Sequence, residues 1–166
     1  DRYFCYIASF GAFSAASYNT SQASKNVMGH FAYLLSGVTD LSSLKKYYVS
    51  YEIDSGTYEG DYIFGSVSNS TSVAGIVKID PNTVDLSDGL FEVNLVKYPK
   101  NLIELSKVIS GITSSDFSGE MFSVFKTANI KFNMSSDIPW TLDGEYYQGN
   151  SSIEIKNLSR AISLIK

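Results

Sequence analysis

From residue 46 onward, the chain consists of short runs rich in Tyr, Val, Ile and Phe, separated by clusters of Asp, Asn, Ser and Gly. This pattern is typical of antiparallel sheets, because aromatic and β-branched side chains pack on pleated strands and Asn, Asp and Gly accept the backbone angles of tight turns. We therefore expect a mainly β protein. The predicted strands, including one at each end of the chain, are residues 2–9, 47–53, 61–67, 73–79, 89–98, 121–132, 140–147, 152–156 and 161–165.

Two helices are predicted between these strands. The first has Ser21 as its N-cap, carries apolar residues at spacings of three and four, and ends at Gly37. The second covers residues 101–109 and ends at Gly111. Together the elements predict a two-sheet antiparallel β-sandwich with two short helices, formed by residues 1–166 as one domain. A partly closed barrel is the alternative that the same elements leave open.

Composition argues against several classes of function. A formal net charge of -4 argues against a nucleic-acid-binding module, because phosphate binding requires a clustered basic surface. The single cysteine, Cys5, and the single histidine, His30, exclude a disulfide within the chain and a multi-histidine zinc site. We expect Cys5 to lie in the buried core. The sequence has no run of roughly 18 apolar residues that could span a bilayer, so we expect a cytoplasmic protein.

The run Leu142-Asp143-Gly144-Glu145 is the first candidate site. If residues 142–146 form one strand, the carboxylates of Asp143 and Glu145 leave the same face of the sheet, where they can hold one cation or disfavour each other's ionisation. Such a pair suits a general base. The alternative is a simple hairpin turn, because Asp-Gly is the strongest short signal for a type I′ turn.

The run of residues 85–90 is the second candidate site, a loop for a hard cation. Carboxylate and carbonyl oxygens converge in a tight turn, and Gly89 lets the backbone bend toward the ion. The alternative is that Asp88 only caps its own turn. The sequence contains no glycine-rich phosphate-binding loop, so any nucleotide must be held mainly by a part of the protein outside this chain.

A series of motifs extends along nearly the whole chain: residues 6–11, 24–33 with Gly37, 69–70 with 74–75, Pro81, 85–90 and 142–145. In this order they resemble the C-terminal domain of the diacylglycerol kinase catalytic family, soluble bacterial lipid kinases related to sphingosine kinases and NAD kinases. Two departures leave the substrate open. Residues 72–75 stand where many relatives have a run of glycines, and Trp140 replaces a smaller or polar residue.

The resemblance implies an elongated β-sandwich domain that pairs with an N-terminal α/β domain. That N-terminal domain carries a Gly-Gly-Asp-Gly-Thr nucleotide loop, and ATP and the substrate meet in the cleft between the domains. The loop and a starting Met are both absent from this sequence. We therefore expect the substrate-side domain of a longer kinase, inactive on its own.

The resemblance also implies roles for both acidic turns. Glu145 matches the family's proton acceptor, which takes the proton from the lipid hydroxyl, and Asp143 lies beside it to orient waters or the catalytic Mg²⁺. Asp88 matches a side-chain ligand of the family's structural Mg²⁺, to which Asp85 and Leu90 contribute backbone carbonyls. ATP is the phosphoryl donor, bound mainly by the absent domain.

The expected function is therefore ATP-dependent phosphorylation of diacylglycerol or a related lipid alcohol, with Glu145 facing an interdomain cleft. Peripheral contact with the inner membrane face is expected, nucleic acid is not, and a homodimer is left open. One alternative is a noncatalytic β-sandwich that binds a lipid or sugar. A second alternative is a phosphotransferase of the NAD kinase type.

Overall fold

A computed structural model of the chain describes residues 2–11, 35–70, 72–73, 77–78, 87–135 and 137–161. Within these ranges the protein is mainly β, as predicted, with one complete α-helix, the last helical residues 35–36 of another, and a 3₁₀ turn at Leu41–Ser43. The strands and the helix, in chain order, are β1 Ile7–Gly11, β2 Tyr47–Ile53, β3 Gly56–Ser68, β4 Ser72–Val73, β5 Val77–Lys78, β6 Phe91–Lys97, α1 Leu102–Ser114, β7 Phe122–Thr127, β8 Asn129–Met134, β9 Pro139–Leu142, β10 Glu145–Gln148 and β11 Ser152–Lys156.

The long strand β3 is the centre of one nine-stranded antiparallel sheet. Its first half pairs with β2, which continues to β8 and β11. Its second half pairs with β1 on one edge, and β1 is followed in the sheet by β9 and then β10. On the other edge, the second half pairs with β6, and β6 pairs with β7. The short strands β4 and β5 pair only with each other in this part of the chain.

The sheet curls so that its branches enclose the main hydrophobic core. Phe132 of β8 is separated from β1 by two strands in the sheet, yet its ring lies 6.0 Å from the ring of Phe10 and 5.5 Å from that of Trp140. Trp140 is only 1% exposed. Gly65 is required beside these rings, because an added Cβ would lie 2.2 Å from Phe10 Cε1.

A second hydrophobic cluster covers the outer face of the sheet. Helix α1 packs Leu105, Val108 and Ile112 there against side chains of β3 and β6. Asn101 caps the helix by accepting a 2.8 Å hydrogen bond from Glu104 N, and Glu104 accepts one from Lys100 N at 2.7 Å. No helix among the described residues is long and apolar enough to cross a membrane.

The prediction of two separate sheets is corrected by the pairing of β3. Because β3 contributes to both branches, the layers that face each other across the core belong to one continuous sheet. A sequence can specify strands, but not whether one strand is long enough to join two layers. The predicted helix that ends at Gly37 lies largely outside the described residues, although its last apolar residue, Leu35, is buried in the second cluster.

Several predicted boundaries are also corrected. Strands 47–53 and 152–156 are confirmed, whereas 121–132 and 140–147 are each divided into two strands. Strands β9 and β10 pair with each other, but β7 pairs with β6 while β8 pairs with β2 and β11. Helix α1 passes through Gly111, where a Cβ would lie 2.4 Å from the Phe122 ring. The prediction that Cys5 is buried is wrong, because β1 begins only at Ile7 and the thiol is exposed. His30 and residues 162–166 lie outside the described ranges.

Candidate functional site

The first candidate site is a two-residue hairpin turn between β9 and β10. Leu142 pairs with Glu145, and both residues between them have positive φ, 50° for Asp143 and 90° for Gly144. Positive φ at both central positions defines a type I′ turn. The hairpin interpretation is therefore confirmed and the continuous strand over residues 142–146 is wrong, so the two carboxylates do not leave one strand side by side.

The carboxylate of Asp143 binds the backbone of the segment that leads into β1. Its Oδ2 accepts a hydrogen bond from Cys5 N at 2.6 Å, and its Oδ1 accepts from Tyr6 N at 2.9 Å and from Ile7 N at 2.8 Å. Asp143 N also donates to Ile7 O at 2.8 Å. A carboxylate has about four lone-pair positions, so three of those of Asp143 are already used by this segment.

Glu145 lies at the end of the same hairpin, with a side chain that is 78% exposed. Its Oε2 lies 3.4 Å from Nη2 of Arg2, whose side chain is 53% exposed. An exposed pair of this kind contributes little to stability, because water and ions screen it. Glu145 is therefore accessible to a partner or substrate, and it forms an ion pair with the guanidinium of Arg2.

The second candidate site lies where β6 begins. Asp88 Oδ1 accepts a hydrogen bond from Leu90 N at 2.8 Å. Asp88 thus caps its own turn, as the alternative interpretation of this loop expected. Lys126 Nζ lies 3.4 Å from Asp88 Oδ2 and 3.5 Å from Glu92 Oε1. The ammonium of Lys126 thus bridges a partly exposed carboxylate and one that is only 4% exposed.

The oxygens in this region fit a hard cation only in part. Carboxylate and backbone carbonyl oxygens are the ligands that Mg²⁺ prefers. Within the described residues, however, no group of three acidic, His or Cys side chains converges, and Lys126 already neutralises Asp88. Asp85 lies outside the described residues, so the predicted loop of Asp85, Asp88 and Leu90 stays a prediction.

Both candidate sites lie at the same end of the sheet, which we call the rim. Asp143 follows β9 and bonds to Ile7, Ile7 pairs with Ser68, and Ser68 pairs with Glu92 at the start of β6. Three strand spacings therefore separate Asp143 from Glu92, which corresponds to about 14 Å. The tertiary fold brings together two acidic turns that are far apart in the sequence.

A buried row of polar side chains crosses the outer face of the sheet beside the rim. We call it the polar stripe; it consists of Ser9, Ser66, Ser68, Glu92, Asn94 and Thr141. Ser9 pairs with both Ser66 and Thr141, and Ser66 pairs with Asn94. Within the described residues, Ser66 Oγ, both carboxylate oxygens of Glu92 and Asn94 Nδ2 make no hydrogen bond. Burying such groups costs free energy unless water or another partner binds them.

Sequence reasoning did not identify Arg2, Lys126 or Glu92. Arg2 stands beside Tyr3 with no motif around it, and its proximity to Glu145 depends on the pairing of β1 with β9. Polar residues within otherwise apolar strand sequences were the available signal for the stripe. Ser66 and Ser68 alternate with Val67, and Glu92 and Asn94 alternate with apolar neighbours.

Comparison with known proteins gives one consistent set of relatives. No protein-family model matches the chain. The diacylglycerol kinase of Bacillus subtilis (strain 168) is 30% identical over 165 residues, which are 99% of this chain and 54% of that protein. The diacylglycerol kinase of Staphylococcus aureus (strain JH9) is 27% identical over 165 residues, 99% of this chain and 51% of that protein. The chain thus spans about half the length of the curated relatives it matches.

Solved structures match the fold. A crystal structure of a diacylglycerol kinase from Bacillus anthracis str. Sterne superimposes with a TM-score of 0.58 at 19% identity, covering 92% of this chain and 48% of that one. Two further structures of a protein from that strain give TM-scores of 0.62 and 0.66 at 20% and 17% identity, again covering 92% of this chain and 48% and 50% of theirs. At these identities the structural likeness supports a shared fold.

Proposed function

We propose, from the premise that this chain is a homologue of bacterial diacylglycerol kinases over about half of their length, that it is the substrate-side domain of an ATP-dependent lipid kinase. The observation that carries this proposal is 30% identity across 99% of the chain. In the full protein, a nucleotide-binding domain precedes residue 1 and faces the rim. The substrate is the hydroxyl of diacylglycerol or of a related lipid alcohol.

Glu145 is the general base of this reaction. The hydroxyl oxygen attacks the γ-phosphorus of ATP while its proton passes to the Glu145 carboxylate. The bond from the γ-phosphorus to the bridging oxygen breaks, its electron pair stays on that oxygen, and ADP leaves. The exposed position of Glu145 on the rim supports this role, because a base on the substrate side must be reachable from the cleft.

Mg²⁺ and ATP are the cofactors of the proposed enzyme. Bound Mg²⁺ neutralises phosphate charge, and in this chain Asp88, with the carbonyls of Asp85 and Leu90, would hold a structural ion. Asp143 is assigned mainly to positioning, since three N–H groups occupy most of its carboxylate. Its remaining lone-pair position is enough to orient one water, as the resemblance implies.

The proposed protein works in the cytoplasm with peripheral contact at the inner membrane face. A lipid alcohol is embedded in the bilayer, so the rim must approach the membrane surface for its hydroxyl to reach Glu145. We propose no nucleic-acid partner, in keeping with a net charge of -4.

The test is the change Glu145→Gln in the full-length protein. We expect kcat for diacylglycerol phosphorylation to fall by about 10² to 10⁴, because glutamine cannot accept the proton. Glu154→Gln is the matched control, since Glu154 is also an exposed strand glutamate with a basic partner, Lys156, at 3.0 Å. Activity of the Glu145 variant within threefold of the parent contradicts its role as base.

A second assay addresses the substrate class. The full-length protein is offered diacylglycerol and NAD side by side with ATP. Phosphorylation of the lipid supports the proposal, and phosphorylation of NAD instead assigns the chain to the alternative phosphotransferase. Turnover of neither by a folded protein leaves the noncatalytic binding module as the better interpretation.

A further inference from the structure

We propose that Arg2 is a second catalytic residue of this site and that its guanidinium binds the phosphoryl group during transfer. The inference rests on the proposed function and adds to it a residue that belongs to neither acidic turn. It starts from the ion pair of Arg2 Nη2 with Glu145 Oε2 at 3.4 Å.

Charge at the hairpin provides the first argument. Asp143 and Glu145 place two carboxylates at the end of β9 and β10, and an incoming phosphoryl group carries negative charge of its own. Like charges at close range repel each other, so the two carboxylates disfavour the approach of a phosphoryl group. Among the described residues, Arg2 is the basic side chain that contacts this turn, so it is placed to offset that repulsion.

The backbone around Arg2 provides the second argument. Asp143 holds the N–H groups of Cys5, Tyr6 and Ile7, and Tyr6 O accepts a further hydrogen bond from Asn69 N at 3.1 Å. The segment is therefore tied to the β9–β10 turn and to the end of β3. This anchoring limits where the backbone of Arg2 can lie, because only two residues, Tyr3 and Phe4, separate it from Cys5, the first residue whose amide is bonded.

The chemistry of the guanidinium provides the third argument. Arginine stays protonated and offers five N–H donors in a planar fork that matches two oxygens of a phosphate. One long contact to Glu145 leaves most of these donors for a ligand. As the alcohol oxygen bonds to the γ-phosphorus and the bond to the ADP oxygen breaks, the fork stabilises the equatorial oxygens. The alcohol proton still goes to Glu145, and Arg2 keeps all its own protons.

The experiment uses Arg2→Ala in the full-length protein with free guanidinium ion as the probe. We expect kcat to fall about 10² to 10³, as for the loss of one preorganised donor, and the KM for the lipid to change much less. Guanidinium chloride at millimolar concentration is expected to restore kcat at least tenfold, whereas sodium chloride at the same ionic strength is not. Arg2→Lys is expected to retain intermediate activity.

Lys156→Ala is the matched control, because it removes an exposed basic residue that pairs with a glutamate elsewhere in the sheet. We expect it to leave kcat unchanged and insensitive to guanidinium. Two results overturn the inference while the proposed function stands. In the first, Glu145→Gln is inactive but the kcat of Arg2→Ala is within threefold of the parent. In the second, the kcat of Arg2→Ala is reduced and guanidinium does not restore it. If neither Glu145→Gln nor Arg2→Ala affects kcat, the proposed function itself fails.

Discussion

Replacing Asp143 with Asn tests the anchoring of the segment before β1. Asn-Gly forms type I′ turns as readily as Asp-Gly, so the hairpin with its two positive φ angles is retained. The substitution changes only the carboxylate. Its Oδ1 can be kept as a neutral carbonyl that accepts from Tyr6 and Ile7, whereas its Oδ2 becomes an NH₂ group that faces the N–H of Cys5.

The magnitude follows from these three contacts. A hydrogen bond to a charged acceptor contributes about 1.5–3 kcal/mol when it is shielded from water, and a neutral one about 0.5–1.5 kcal/mol. Only the Ile7 bond is partly buried, and those of Cys5 and Tyr6 are exposed, so the lower values apply to both of these. We expect Asp143→Asn to lower the local opening free energy of the segment by about 1–2 kcal/mol.

Native-state hydrogen exchange of the full-length protein measures this quantity directly. A loss of this size corresponds to exchange that is about 5 to 30 times faster at the amides of residues 5–7. Asp54→Asn is the control, because Asp54 lies in the β2–β3 turn and its side chain makes no hydrogen bond to the described residues. Protection that stays within twofold of the parent in Asp143→Asn would refute the anchoring argument.

Three further predictions concern the sheet. Gly65→Ala should lower the free energy of unfolding by about 1–3 kcal/mol in urea titration, because the added Cβ would overlap a buried aromatic ring. Gly119→Ala is the control: its Cβ would have its nearest contact at 4.0 Å, so the free energy of unfolding should change by less than about 0.5 kcal/mol. Burial raises the pKa of the Tyr51 hydroxyl, so the folded state keeps a proton that the unfolded chain releases near pH 10. The free energy of unfolding should therefore be constant below about pH 9 and fall as pH rises above about 10. Urea midpoints across pH 8–11 should show a shallower fall in Tyr51→Phe. Lys126→Met should destabilise by about 2–3 kcal/mol in urea titration, because it leaves the buried carboxylate of Glu92 without its ammonium, and the double variant with Glu92→Gln should recover most of that loss.

Local sequence chemistry was enough to predict many elements of this fold. The β2 and β11 boundaries follow from runs of β-branched and aromatic residues, and the Asp-Gly turn follows from the two positive φ angles that this pair accepts. The resemblance to diacylglycerol kinases was likewise carried by short motifs in a fixed order. These signals work because each depends on only a few neighbouring residues.

Other predictions failed where a distant contact decided the local structure. Gly111 was predicted to end helix α1, but the helix continues past it, and the ring of Phe122 lies where a larger side chain at residue 111 would need room. Cys5 was predicted to be buried, but its segment lies outside the sheet and is held by Asp143 instead. Neither contact can be seen in a window of ten residues.

The sequence by itself determined that the chain is mainly β, where most of its strands lie and which residues form its two acidic turns. Only the tertiary structure decided that β3 joins both branches of one sheet, that Arg2 lies against Glu145 across 143 residues, and that a row of buried polar groups lies beside the rim. The physical reason is that the alternation of side chains along a strand fixes which face each one takes, but not which strand becomes its neighbour. That choice depends on long-range pairing and on closure of the common core.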